Sequence, residues 1–262
     1  MNETLHSNTF KAAVAVEPSR TEIQTFDRPA TTALTGLLRV AITGVWGSGG
    51  PYYRALPQSR GPLIPGHETV GHIEEAGELA KARWGLKEGD YVALEEYVPC
   101  GHREYCLSNE FRLCNATDWR LNGLRYGATG LRTAPSFWGG FGQYQYLQLN
   151  TVFHCVPSSV APKYAALALP LGNGIEWAYL QGGAGPGQAV VIQGPGQQGL
   201  SCVVAAREAG AKKLSSPAFR LKRTGSDSNL QKDSVPIIRS RPIRKTCLNA
   251  SPVSREVRWL TS

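Results

Sequence analysis

Three short stretches of this 262-residue chain carry residues whose types and spacing could do chemistry. In PLIPGHETVGHIEEAG, Gly66-His67-Glu68 sets an imidazole beside a carboxylate, a pair able to hold a metal ion or to move a proton. In PCGHREYCLSNEFRLC, Cys100, Cys106 and Cys114 stand at offsets of 6 and 8, an ordered run of soft donors. In QGPGQQG, Gly194, Gly196 and Gly199 spell G-x-G-x-x-G. There the first glycine allows a tight turn, the second lets the backbone approach a pyrophosphate, and the third permits close helix–strand contact. Backbone N–H groups at the start of the following helix would receive phosphate oxygens.

Each stretch also has a plainer reading. A lone histidine is more often a structural residue than a ligand. Three cysteines can be unrelated core residues, and a bare glycine turn often holds nothing. Context favours the chemical reading of the glycine turn. An apolar run at 189–192 enters it, and an amphipathic helix leaves it from Leu200 to Ala209. Strand, turn and helix in that order are what a dinucleotide site requires.

The elements that must position these groups change in character along the chain. Residues 36–46 (GLLRVAITGVW) and 89–98 (GDYVALEEYV) are apolar and β-branched, and they read as strands. Aromatics at 135–153 follow a short-strand pattern, so a β-rich, barrel-like domain is expected up to about residue 157. Residues 163–183 read as helix interrupted near Pro170 and Gly172. Beyond Lys213 no period of 3.6 or 2 is sustained, and no second apolar strand is expected near Leu214. Asp227, in a Gly/Ser/Asn context, does not sit where a ribose-binding acid would.

Composition narrows the classes further. Hydrophobic residues at 42% suit a packed core, and no apolar run is long enough to span a membrane. The N-terminus lacks a secretory layout, and six cysteines with three clustered suit metal ligation in a reducing compartment. A cytoplasmic protein with no membrane partner is expected. The net charge of +8 resides in the C-terminal stretch: residues 212–262 hold 12 Lys/Arg against 3 Asp/Glu, residues 1–211 hold 16 against 17. A specific nucleic-acid surface on the globular part is therefore not expected. Cys155, Cys202 and Cys247 carry no assigned role.

The order and spacing of the three blocks, over about residues 35–213, resemble the zinc-type medium-chain alcohol dehydrogenases. The resemblance implies an α/β protein: a β-rich GroES-like barrel followed by the first part of a Rossmann (doubly wound) domain. It divides the chain into 1–160 (catalytic domain), 161–213 (partial NAD(P)-binding domain) and 214–262 (basic tail, expected to be disordered). It also implies Zn2+, NAD or NADP, a small alcohol or carbonyl substrate, and homo-oligomerisation by analogy. Ser48 matches a proton-relaying hydroxyl, and His67 and Glu68 match the catalytic metal turn. Cys100, Cys106 and Cys114 match three ligands of a structural zinc lobe, and Gly194, Gly196 and Gly199 match the cofactor turn.

Four positions depart from the family pattern. Trp46 and Leu169 stand where it uses catalytic metal ligands, Gly49 where it has an acid, and Arg103 where it has the fourth lobe cysteine. Tryptophan and leucine offer no ligand lone pair, and arginine stays protonated. The catalytic zinc is therefore expected to be absent or weakly held. The lobe zinc is expected to be weakened, with His102 or water as a substitute donor. The abrupt basic C-terminal text suggests a truncated or frameshifted product. Three readings stand at this point: an impaired family oxidoreductase, a zinc-independent NAD(P)H reductase, or a non-enzymatic remnant or binding module.

Overall fold

Phe10, Ala12 and Val14 are buried in alternation, the period of two that a half-buried strand requires. The computed structural model describes residues 9–47, 53–54, 61–118, 121, 123–194 and 196–215. The alternating residues form β1 (Thr9–Glu17), which pairs antiparallel with β2 (Arg20–Asp27). Backbone bonds from Ala13 N–H to Phe141 O (2.7 Å) and from Ala15 N–H to Leu63 O (2.9 Å) fasten β1 to later segments.

The main sheet has five strands: β3 (Gly36–Thr43), β4 (Thr69–Ala76), β5 (Tyr91–Leu94), β6 (Tyr144–Leu147) and β7 (Phe153–Cys155). Their order is β6-β3-β4-β5-β7, and every neighbouring pair is antiparallel. Helix α1 (Glu78–Trp84) joins β4 towards β5 and stops at Gly85, whose φ of 65° is the left-handed cap that glycine tolerates. The core of this unit gathers Phe10, Val14, Leu37, Leu38, Ile64, Ile73, Val92, Tyr126 and Leu147.

Antiparallel pairing decides what lies near what. Thr43 at the end of β3 pairs with Thr69 at the start of β4, so the turn after β3 meets the turn before β4. Val70 of β4 pairs with Ala93 of β5, so the residues just after β5 reach the same end of the sheet. Strands β3, β5 and β6 fall within the stretches whose composition suggested strand, and β7 begins at the last residue of the third such stretch. Strands β1, β2 and β4 were not assigned from sequence; β2 and β4 are interleaved with charged residues that mask an apolar run.

The chain divides into two compact units between Ala168 and Leu169. Helix α2 (Glu104–Leu107) and α3 (Pro162–Ala165) lie in the first, and α4 (Ala168–Gly174) runs across the division into a π-helical segment, Ile175–Gln181. The expected interruption at Pro170 and Gly172 is corrected: α4 passes through both. Pro170 is the third residue of α4, within the first turn, where its missing N–H would have had no partner.

In the second unit β8 (Ala189–Val191) leads into α5 (Gln197–Glu208), which returns to β9 (Lys213–Ser215). Strands β8 and β9 pair in parallel, with Val190 opposite Leu214. This corrects the expectation of no second strand near Leu214. A three-residue strand has no room for a readable alternation, and Leu214 alone supplies its apolar contact with the cluster around Val190, Ile192 and Ala206. The proposed disordered tail lies outside the described residues from Ser216 onward, as does Ser48. No helix among the described residues is long and apolar enough to cross a membrane.

Candidate functional site

The turn before β4 delivers His67 and Glu68 into the interior, at 8% and 2% exposure. His67 Nε2 lies 3.0 Å from Glu96 Oε2, and the other carboxylate oxygen of Glu96 is held by the Arg125 guanidinium. Arg125 also stands over the Tyr97 ring, 4.6 Å from its centroid. The main chain keeps this chain of groups in register: Tyr126 N–H donates to Glu96 O (2.8 Å), and Tyr97 bridges Arg125.

Burial, aided by the nearby Arg125 charge, pushes His67 down to about 3 from its ordinary 6.5. The imidazole is therefore neutral near pH 7. Burial pushes Glu96 up to about 7, although Arg125 pulls the other way. The dominant cause is the same for both groups: loss of water penalises the charged form.

The Trp46 ring lies on the His67 imidazole, centroids 4.3 Å apart and planes inclined at 45°, with Phe141 6.4 Å from Trp46. Gly44 accommodates the Glu68 carboxylate: a Cβ at Gly44 would lie 1.9 Å from Glu68 Oε2. A catalytic zinc needs three protein donors and one open position. Here Trp46 offers none, His67 Nε2 is committed to Glu96, and Leu169, a residue of the second unit, offers none. The residues present do not fit a catalytic zinc.

The cysteine lobe behaves differently. Cys100 Sγ lies 3.6 Å from Cys106 Sγ and 3.7 Å from Cys114 Sγ, and all three sulfurs fall within 4.8 Å of one another. Two thiolates each about 2.3 Å from a tetrahedral zinc stand about 3.8 Å apart, so the donor set fits that ion. Among the described residues this is the group of three or more His, Cys, Asp or Glu ligand atoms gathered closely enough for one metal. Backbone hydrogen bonding from His102, and then from Arg103, pulls the Cys100 thiol down to about 6. His102 turns Nδ1 to the Cys100 carbonyl (3.0 Å), and Arg103 caps α2 with an exposed side chain.

The glycine turn sits between β8 and α5. Gly194 has φ 117°, a backbone state that L side chains rarely adopt, and Gly196 caps the twelve-residue α5 with open space around it. A Cβ at Gly199 would lie 2.0 Å from the Gly194 carbonyl oxygen. Turn and helix are thus pressed together as a pyrophosphate cradle demands, and the residues fit the phosphate end of a dinucleotide.

Sequence reasoning missed Glu96 and Arg125. The doublet Glu95-Glu96 closing the apolar run YVAL was the available signal, since a carboxylate beside a buried strand needs a partner. Arg125, more than fifty residues from His67, had no local signal at all.

Residues 35–158 match the family model of the alcohol dehydrogenase GroES-like domain. A probable alcohol dehydrogenase of Mycobacterium tuberculosis is 34% identical over 203 residues, covering 77% of this chain and 54% of that protein. A probable D-xylulose reductase A of Aspergillus fumigatus is 31% identical over 182 residues, covering 68% of this chain and 46% of that protein. The crystal structure of an alcohol dehydrogenase from Thermotoga maritima superposes with a TM-score of 0.67 at 26% identity, over 79% of this chain and 57% of that one. The chain spans about half the length of the curated relatives it matches.

Proposed function

We propose a function from one premise: the chain belongs to the zinc-type medium-chain alcohol dehydrogenase family. Its chemistry is hydride transfer between a small alcohol or carbonyl compound and NAD or NADP, carried here in impaired form. The observation that bears this reading is the occupation of His67: Trp46 covers its ring and Glu96 takes its Nε2. Without a Lewis acid, nothing at this position lowers the pKa of an alcohol oxygen.

The remaining parts have separable roles. Gly194, Gly196 and the N–H groups opening α5 would bind the cofactor phosphates, with Gly199 keeping helix and turn in contact. NAD or NADP, when bound, supplies the hydride acceptor. Cys100, Cys106 and Cys114 would hold a zinc that braces the lobe after β5, a structural rather than a chemical role. The domain division 1–160, 161–213 and 214–262 and a role for Ser48 as proton relay remain part of this proposal.

A second reading draws on the same stack. Trp46 and Phe141 set two aromatic rings beside His67, an apolar surrounding that suits a zinc-independent NAD(P)H reductase. Cofactor titration beside steady-state assays separates the readings. Weak NAD(P) binding with alcohol oxidation near background is expected. Carbonyl reduction that survives chelation would favour the second reading, and the absence of any cofactor binding would favour a non-enzymatic module. Robust oxidation of a simple alcohol by the unmodified chain would overturn the impairment.

A further inference from the structure

The main chain of Arg103 is woven into the thiol turn. Its carbonyl accepts from Cys106 N–H and Leu107 N–H, both at 2.9 Å. Nearby donors are turned elsewhere: His102 Nδ1 faces the Cys100 carbonyl at 3.0 Å, and Asn150 Nδ2 donates to the same carbonyl at 3.3 Å. Cys114 is buried, Cys100 and Cys106 are half-buried, and residues 101–105 are exposed, so solvent reaches the cluster from the Arg103 side.

Zinc closed by four protein donors is inert, whereas zinc with three keeps a position for a water or another ligand. Three thiolates on one divalent ion leave a net negative charge, which ordinarily repels a further anion. Arg103 carries a permanent positive charge on the same exposed turn, which lessens that repulsion, and arginine cannot become the fourth ligand itself. Resting on the zinc reading above, we propose that the metal-loaded lobe is an open zinc–thiolate site whose fourth position takes an exchangeable small thiolate from solution, with Arg103 supplying the compensating charge. With zinc held by the three cysteines, an incoming thiol would take the fourth position in place of water and release its proton to solvent. No electron is transferred.

The test loads the full chain with Co(II), whose visible bands report coordination where zinc is silent, and titrates 2-mercaptoethanol anaerobically. Sulfur-to-cobalt charge-transfer bands should appear on loading, and the d–d bands should then shift saturably with the thiol. In Arg103→Cys, which supplies a fourth thiolate, the d–d bands should not respond. In Arg103→Met the shift should persist with about two- to fivefold weaker apparent affinity, the scale of an exposed charge pair. Absence of charge-transfer bands would overturn the metal site and this inference together. Bands that ignore the thiol, or that vanish because the thiol strips the metal, would overturn the open position alone. An Arg103→Met titration identical to the native one would remove Arg103 from the account.

Discussion

His67 Nε2 and Glu96 Oε2 lie 3.0 Å apart in the interior, joining two strand ends that are 29 residues apart in the chain. The contact commits the imidazole nitrogen that a catalytic metal would need, and it leaves Glu96 balanced between His67 and Arg125.

The pH dependence of stability should carry the mark of this pair. His67 has a folded pKa of about 3 against 6.5, so between these values the unfolded chain holds the extra proton and stability falls as pH drops. Glu96 has a folded pKa of about 7 against 4.5, so there the folded chain holds the extra proton and stability falls as pH rises. The two effects oppose one another from about 4.5 to 6.5, and the His67 loss stands alone below that. Urea midpoints should therefore stay level across that overlap and drop below it. In Glu96→Gln the decline should begin near pH 6.5. A native midpoint declining steadily from pH 6.5 would contradict this assignment.

Removing Arg125 should cost more than removing the whole ion pair. Glu96 is 95% buried, and Arg125→Met would leave its carboxylate without a cation, a loss of about 3 kcal/mol. Adding Glu96→Gln to Arg125→Met should recover part of that loss. Chemical denaturation of the single and double variants measures the difference, and additive losses would refute the coupling.

Two glycine substitutions should diverge in sign. Gly199→Ala forces a Cβ to within 2.0 Å of a backbone oxygen, so the second unit should lose about 2 kcal/mol or more together with its cofactor binding. Gly172→Ala, in α4 with open space around it, should stabilise by about 0.5–1 kcal/mol. Calorimetry and NAD(P) titration read both outcomes.

Zinc content should follow donor number. The native chain is expected to purify with less than one zinc per chain, Arg103→Cys with more, and Cys114→Ser with almost none. Elemental analysis decides it. Full native occupancy, unchanged in Arg103→Cys, would mean that three thiolates suffice.

Local chemistry was legible in the linear text wherever function depends on consecutive residues. The GHE turn, the three spaced cysteines and the glycine turn each announce themselves because their geometry is set within a few residues, and together they identified the family. The absence of donors at Trp46, Arg103 and Leu169 was equally legible, since a side chain without a lone pair cannot coordinate in any fold. The fate of His67 was not. It depends on β4 pairing with both β3 and β5, which brings Trp46 and Glu96 against it from opposite sides of the sequence, and on a loop that carries Arg125 to the same buried point. Strand β9 was hidden for a related reason: three residues hold no period, and only the parallel ladder to β8 makes them a strand. Residue types thus determined which chemistry was available. Long-range pairing decided which of those groups were already spent on one another, because a buried polar atom must find its partner wherever the fold brings one.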